Sequence, residues 1–170
     1  MATLSCDDYN VKIVSKEVVV NALPVQEHQL PLSNLDLTIP PVSVSIILCY
    51  KKPATSSKSS FAEVAIHDLK SSLPEALVYY YVFAGRMVSN SSREPEVLCN
   101  NQGVEFVVAN ANIGLAQLEF YNPDKTVEGK LVPVLSNSSV FATQVSSPFF
   151  NGDCIEFFLF NTLFKYSFVF

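Results

Sequence analysis

The sequence has no tryptophan, only two histidines and only five glycines in 170 residues, and each shortage closes off some chemistry. Five glycines without a Gly-x-Gly-x-x-Gly or Walker-type loop leave no glycine-rich cradle for phosphates. There is no Gly-x-Ser-x-Gly. His28 and His67 have no carboxylate at the spacing a base needs; Asp68 follows His67 directly, and adjacent residues on a helix do not face each other. The four cysteines, Cys6, Cys49, Cys99 and Cys154, are widely spaced. That fits neither a zinc site nor a disulfide framework and predicts reduced thiols in a cytoplasmic protein. Basic residues are scarce too. Eleven against sixteen acidic residues give a net charge of −5. Lys51-Lys52 is the one adjacent basic pair, which argues against nucleic acid and against an anionic membrane surface as partners. No uncharged apolar run reaches the length of a membrane span; Ile155 to Phe170 comes closest, interrupted by Glu156, Asn161 and Lys165. The first twenty residues are unlike a secretory signal, so the sequons at Asn90 and Asn137 are expected to be unused.

What is present is apolar and globular in character. Hydrophobic residues make up 49% of the chain and charged residues 16%, enough for one ordinary domain or part of a larger one. Apolar positions at Phe61, Val64, Ala65, Leu69, Leu73, Ala76, Leu77 and Tyr80 recur at three and four residues, predicting an amphipathic helix over about 61–81. Pro74 inside it predicts a break after Leu73 or a new first turn at Pro74. Gly85 stands where a left-handed C-terminal cap would end the helix. Val11 to Ala22 and Val42 to Tyr50 read as strands, the first buried on both faces near its valine-rich end. Glu94 to Cys99 and Gly103 to Ala109 read as a hairpin around Asn100–Gly103, and Val140 to Val145 as a further strand. Leu23 to Pro41 carries four prolines and no long element, with a side-chain-bonded turn at Ser33, Asn34 and Asp36. The Lys51–Ser60 loop, a short piece over Ile113–Phe120, the turn Tyr121–Asp124 and an arm over Val127–Leu135 complete the reading.

Several stretches together carry a resemblance. They are Leu-Pro-Leu-Ser-Asn-Leu-Asp-Leu at 30–37, Cys-Tyr-Lys-Lys-Pro at 49–53, and the helix into Phe-Ala-Gly-Arg at 83–86. Then come Pro-Glu-Val-Leu-Cys-Asn-Asn-Gln-Gly-Val-Glu-Phe at 95–106, Tyr-Asn-Pro-Asp at 121–124 with Glu-Gly-Lys-Leu-Val-Pro at 128–133, and Phe-Ala-Thr-Gln-Val at 141–145. In this order they resemble the N-terminal domain of the plant BAHD acyltransferases, most closely the coniferyl alcohol branch. The resemblance implies an α/β (α+β) fold: a partial chloramphenicol-acetyltransferase-like domain with a mixed β-sheet and one main helix. It implies acyl-CoA as co-substrate, a small-molecule alcohol as acceptor, and no bound cofactor or metal. In the family a histidine of a His-x-x-x-Asp motif deprotonates the acceptor hydroxyl, which attacks the thioester carbonyl, and the aspartate positions the histidine. The resemblance places Ser33, Asn34 and Asp36 at the acceptor end of the channel. It gives Gly85 and Arg86 structural roles, the arginine holding neighbouring carbonyls or carboxylates.

The sequence departs from that pattern at the chemistry. Four residues after His28 stands Leu32, and after His67 Ser71, so the His-x-x-x-Asp motif is absent. Without tryptophan, the family's Asp-Phe-Gly-Trp-Gly is absent too. Val82 stands where the family prefers proline. Asn151 to Phe158 occupies the place expected for the catalytic histidine and does not match. Residues 145–170 hold eight of the thirteen phenylalanines, with no helical or strand periodicity. Gln144-Val145-Ser146 is also what an exon end and splice donor encode when read in frame. The expectation is therefore a family domain over 1–144, followed by intron read-through. Such a chain would be inactive alone, poorly soluble, and bare on one face of its sheet. Two other readings stay open: a regulatory fragment that binds full-length enzyme, and a small ligand-binding module.

Overall fold

The computed structural model describes residues 9–38, 43–51, 60–113, 118, 130–132, 138–148 and 157–165, the last stretch by its backbone. Among the described residues, eight strands form two sheets. The strands are β1 (Val11–Val19), β2 (His28–Pro31), β3 (Ser43–Lys51), β4 (Arg86–Ser89), β5 (Pro95–Cys99), β6 (Val104–Ala111), β7 (Phe141–Pro148) and β8 (Phe157–Lys165). The helices are a short α1 (Asn34–Thr38) and a long α2 (Ser60–Tyr79), which runs into a 3-10 turn at Tyr81–Ala84. The larger sheet has the order β1-β6-β7-β8-β3, and the smaller one the order β2-β5-β4. The large sheet is mixed, since β6 and β7 run parallel and the other neighbours antiparallel.

The central strand explains its own composition. Val104, Phe106, Val107, Ala109 and Ala111 of β6 are all buried, because the sheet is covered on both faces there. Phe106 and Val104 meet Leu77, Ala84, Phe141 and Val145 under α2. On the opposite face Ala111 packs with Tyr9, Ile113, Leu118 and Leu131. A third cluster, Val97, Cys99 and Val140, lies under the small sheet.

Four local expectations are corrected. First, β1 is an edge strand: Val19 is buried, while Val18 and Val20 are 59% and 47% exposed, so its end is buried on one face only. Second, α2 passes through Pro74 without a break. A proline inside a helix costs about 3 kcal/mol. Leu77, fully buried, and Leu73, packed on the same core, recover about 1.5–3 kcal/mol each. The carbonyl of Pro74 also accepts the Ala22 N–H at 3.1 Å. Third, β5 and β6 are not a hairpin. β5 pairs with β2 and β4, whereas β6 pairs with β1 and β7, so Asn100–Gly103 carries the chain from one sheet to the other. Asn101 and Gly103 do adopt positive φ there, 52° and 86°. Fourth, Gly85 is not a left-handed cap. Its backbone is extended, with φ −85° and ψ −168°.

Gly85 is glycine for a different reason. A Cβ at that position would lie 2.6 Å from the Leu98 carbonyl oxygen and 3.0 Å from both the Val82 oxygen and Val97 Cγ1. Two of these neighbours are backbone and cannot swing aside. Lys51–Ser60, Tyr121–Asp124 and most of Val127–Leu135 lie outside the described residues, apart from the ends of the first and residues 130–132 of the last. Of the piece over Ile113–Phe120, only 113 and 118 are described. The same crowding gives a test. Gly85→Val should lower stability by about 1–3 kcal/mol, read as a shift of the urea midpoint at unchanged slope; an unmoved midpoint would refute the close-packing account.

Candidate functional site

Ser33, Asn34 and Asp36 sit at the start of α1. Asp36 Oδ2 accepts from the Ser33 N–H at 3.0 Å and from Ser33 Oγ at 2.6 Å, while the Asp36 N–H donates to Ser33 Oγ at 3.2 Å. This reciprocal Ser-x-x-Asp bonding is a capping box. It closes the first turn of a helix only five residues long, and Asp36 is buried. Thr38 Oγ1 donates back to the Leu35 carbonyl at 2.7 Å. Where a side-chain-bonded turn was expected, the structure has a capped helical turn. Asn34 is exposed.

Arg86 opens β4 on the other side of the small sheet. Its Nη1 donates to the carbonyls of Gly85 and Gly103, each at 2.8 Å, and its Nη2 to that of Gln102 at 3.2 Å. Burial pushes the guanidinium below its ordinary value, and the nearby Glu105 carboxylate works against that shift. The two sets of residues are separate. Arg86 stands opposite Leu98, in the row of Gln29, whereas α1 follows the far end of β2, where Pro31 stands opposite Glu96.

The histidines take no part in a catalytic cluster among the described residues. His28 Nδ1 lies 2.8 Å from the Gln26 carbonyl, and its ring lies 5.6 Å from that of Tyr81. His67 Nδ1 does reach Asp68 Oδ1, at 3.5 Å, although the two are adjacent on α2. Both side chains are largely exposed, 81% and 72%, so water screens the pair. Among the described residues no three His, Cys, Asp or Glu side chains converge as metal ligands would. Cys49 and Cys99 are both free, and burial raises the pKa of each thiol. Among the described residues no helix is long and apolar enough to cross a membrane.

Among the described residues, clefts flank the large sheet in two places. One, of about 280 Å³, is mixed in character: Val11, Ile13, Val107 and Val132 line it beside Lys16, Glu105, Lys130 and Gln144. Lys16 Nζ lies 3.0 Å from Glu105 Oε2, and Lys130 Nζ sits 4.4 Å over the Tyr9 ring. Gln144 is buried, and its Nε2 donates to the Lys130 carbonyl at 3.2 Å and to Ser146 Oγ at 3.0 Å. The other, of about 290 Å³, is an apolar groove between α2 and β3. Sequence reasoning passed over Gln144 as an interior group, and also Asn21. Buried Asn21 receives the Leu23 N–H, donates from its side chain to the Leu77 carbonyl, and gives its own N–H to Asn101 Oδ1 at 2.8 Å. The only available hint was a lone polar residue directly after an apolar strand.

A sequence profile of the Transferase family matches residues 9–152. Putrescine hydroxycinnamoyltransferase 1 of Oryza sativa subsp. japonica is 31% identical over 123 residues, covering 72% of this chain and 27% of the relative. The (Z)-3-hexen-1-ol acetyltransferase of Arabidopsis thaliana is 34% identical over 117 residues, 65% of this chain and 24% of its own. The chain thus spans about a quarter of the length of these relatives. The crystal structure of vinorine synthase aligns with a TM-score of 0.66 at 24% identity, over 92% of this chain and 38% of that one. This is a likeness of fold.

The bracket formed by Arg86 is open to test. Arg86→Met should cost about 2–4 kcal/mol, because it strands buried carbonyls. Arg86→Lys should recover only part of this, since an ammonium cannot span three acceptors as a planar fork does. Urea titrations of both variants would check this; equal stability of Met and Lys variants would show the fork geometry to be irrelevant.

Proposed function

The chain belongs to the BAHD transferase family, and from that premise we propose that it forms a scaffold part of an acyl-CoA-dependent acyltransferase without the base that the reaction needs. In the intact enzyme an alcohol oxygen attacks the thioester carbonyl, the new C–O bond replaces the C–S bond, and coenzyme A leaves as the thiol. A neutral imidazole takes the hydroxyl proton and returns it to the leaving sulfur. The relatives bear names with alcohol, hydroxy-acid and amine acceptors. For this chain we favour an alcohol, with a phenylpropanoid such as coniferyl alcohol as the first acceptor to try, and the cytosol as the compartment.

One observation carries the inactive reading: no histidine lines either cleft, and the 170 residues contain no His-x-x-x-Asp. General-base catalysis contributes roughly 10²–10⁴-fold, so without such a base these residues fall far below a working enzyme. Ser33 and Asp36 bond to each other, so their part at an acceptor end is to hold the turn. Exposed Asn34 is the one of the three left to face a ligand.

Purified protein incubated with p-coumaroyl-CoA or acetyl-CoA and coniferyl alcohol should form no ester above the protein-free control, by chromatography. Saturable, protein-dependent ester formation would overturn the inactive reading. The origin of the stretch after Gln144 is a separate proposal, that it is read-through of an unspliced intron. Sequencing transcripts across the Gln144 codon should find molecules that splice there and resume with His-x-x-x-Asp. Transcripts that all run on unbroken through the Phe170 codon would sink it.

A further inference from the structure

We propose that the mixed cleft over β1, β6 and β7 binds a small uncharged molecule with a primary-amide head and an apolar body. The cleft's own groups lead there, without recourse to acyl transfer.

Strand alternation sets the cleft on the face of the large sheet turned away from α2. Phe106 packs in the core under that helix, so Glu105 and Val107 on either side of it point to the opposite face. Val107 stands opposite Gln144 of β7 and Lys16 of β1, which brings all four to one place. The opening of about 280 Å³ lies just below the 300–1,000 Å³ usual for drug-sized ligands, so it has room for one ring. Val11, Ile13, Val107 and Val132 give that ring apolar walls.

The polar groups then define the head. Gln144 is 3% exposed, and its Nε2 donates to the Lys130 carbonyl and to Ser146 Oγ. A carbonyl can only accept, so the nitrogen stands on that side and Oε1 on the other. Among the described residues nothing donates to Gln144 Oε1. Glu105 Oε2 is buried and also accepts no hydrogen bond among the described residues. Lys16 Nζ stands 3.0 Å from it without aiming an N–H along a hydrogen-bond direction. Glu105 and Gln144 are diagonal neighbours on adjacent strands, about 8 Å apart at their Cα atoms, and their side chains reach into the same space. The cleft thus holds two buried acceptors without donors, a costly arrangement, and one ammonium donor beside them.

A primary amide answers that set with one planar group. Its two N–H donors serve Gln144 Oε1 and Glu105 Oε2, and its carbonyl accepts from Lys16. The Lys16–Glu105 ion pair stays in place, and no net charge is buried. Other heads fit less well. An ammonium would enter beside Lys16 and Lys130, which both line the cleft. A carboxylate would face Glu105 and bring no N–H. A single hydroxyl has one hydrogen for two acceptors.

The test is titration of the purified 170-residue chain with four probes that share one ring: benzamide, benzyl alcohol, benzoate and benzylammonium. Saturation-transfer and protein-observed NMR read the affinities. Benzamide should bind saturably and at least about tenfold more tightly than benzoate or benzylammonium, with benzyl alcohol between. Gln144→Met should weaken benzamide at least about tenfold by removing an acceptor. Lys16→Met removes the donor at a half-exposed position, and should weaken benzamide several-fold even if the buried Gln144 variant fails to fold. Circular dichroism checks the fold of each. Leu35→Glu, at an exposed position on α1, should leave the affinity unchanged. Four probes of equal affinity would overturn the proposal. So would preference for a charged probe, a folded chain that ignores benzamide, or benzamide binding unmoved by Lys16→Met and by a folded Gln144→Met.

Discussion

The Arg86 guanidinium fastens together two sheets that share no strand. β5 belongs to the small sheet and β6 to the large one, so the chain crosses between them at Asn100–Gly103. A crossing segment leaves its carbonyls outside both ladders, and buried carbonyls without partners are costly. Arg86 supplies donors to Gln102 and Gly103, while its third bond returns to Gly85. The Gly103 N–H closes the arrangement by donating to the Ala84 carbonyl at 3.0 Å. Each glycine also admits a close approach of its own: at Gly85 a Cβ would lie 2.6 Å from the Leu98 carbonyl oxygen of β5. At Gly103 that atom would lie 2.6 Å from Val18 Cγ1 and 2.7 Å from the Val19 carbonyl oxygen. Arginine and glycines act at one junction: Arg86 ties the carbonyls of Gly85, Gln102 and Gly103 together, while Gly85 lets β5 come close and Gly103 lets the end of β1 come close.

The same junction fixes the long helix. Asn21, directly after β1, donates from its side chain to the carbonyl of Leu77 near the end of α2 and from its backbone N–H to Asn101 Oδ1 in the crossing loop. Ala22 binds the carbonyl of Pro74 in the same stretch. The C-terminal half of α2, the end of β1 and the crossing loop therefore share one polar network beside the Leu77–Phe106 core. This accounts for a proline being tolerated in α2. The helix need not be stable by itself, since its carbonyls are used by neighbours and its leucines by the core.

What the sequence made legible was what local pattern controls. α2 was readable because three-and-four spacing survives a proline, and β6 because a run of buried positions needs apolar residues on both faces. The sheet to which each strand belongs was not readable. Strands β5 and β6 are separated by four residues rich in turn formers, and every local signal says hairpin; the decision comes from β1, about ninety residues upstream, which takes β6 for itself. Gly85 shows a related limit, since one residue type serves positive φ or close approach, and the letter does not say which. The strand at Phe157–Lys165 has no period at all. It is defined by its neighbours, β7 on one side and β3 on the other, because strand formation depends on partners more than on propensity. At the candidate site, Ser33, Asn34 and Asp36 were legible as a side-chain-bonded turn, but the Ser33–Asp36 capping box depended on α1 forming.

Scaffold and chemistry place different demands on sequence. A buried position such as Phe106 or Val145 accepts any side chain of similar volume and polarity at modest cost, so the fold persists at identities near 30% to its relatives. A general base admits no such exchange, since it must be one titratable group at one point, within hydrogen-bond reach of the proton it removes. The two histidines here lie on an exposed helix face and beside Tyr81, and nothing in the packing of either would be disturbed by the absence of catalysis. Conversely, the groove beside α2 is a demand of the scaffold that remains unmet within the described residues. A chain can keep the family's core without its reaction, but the exposed Ile46 and Leu48 still carry the hydrophobic driving force to be covered.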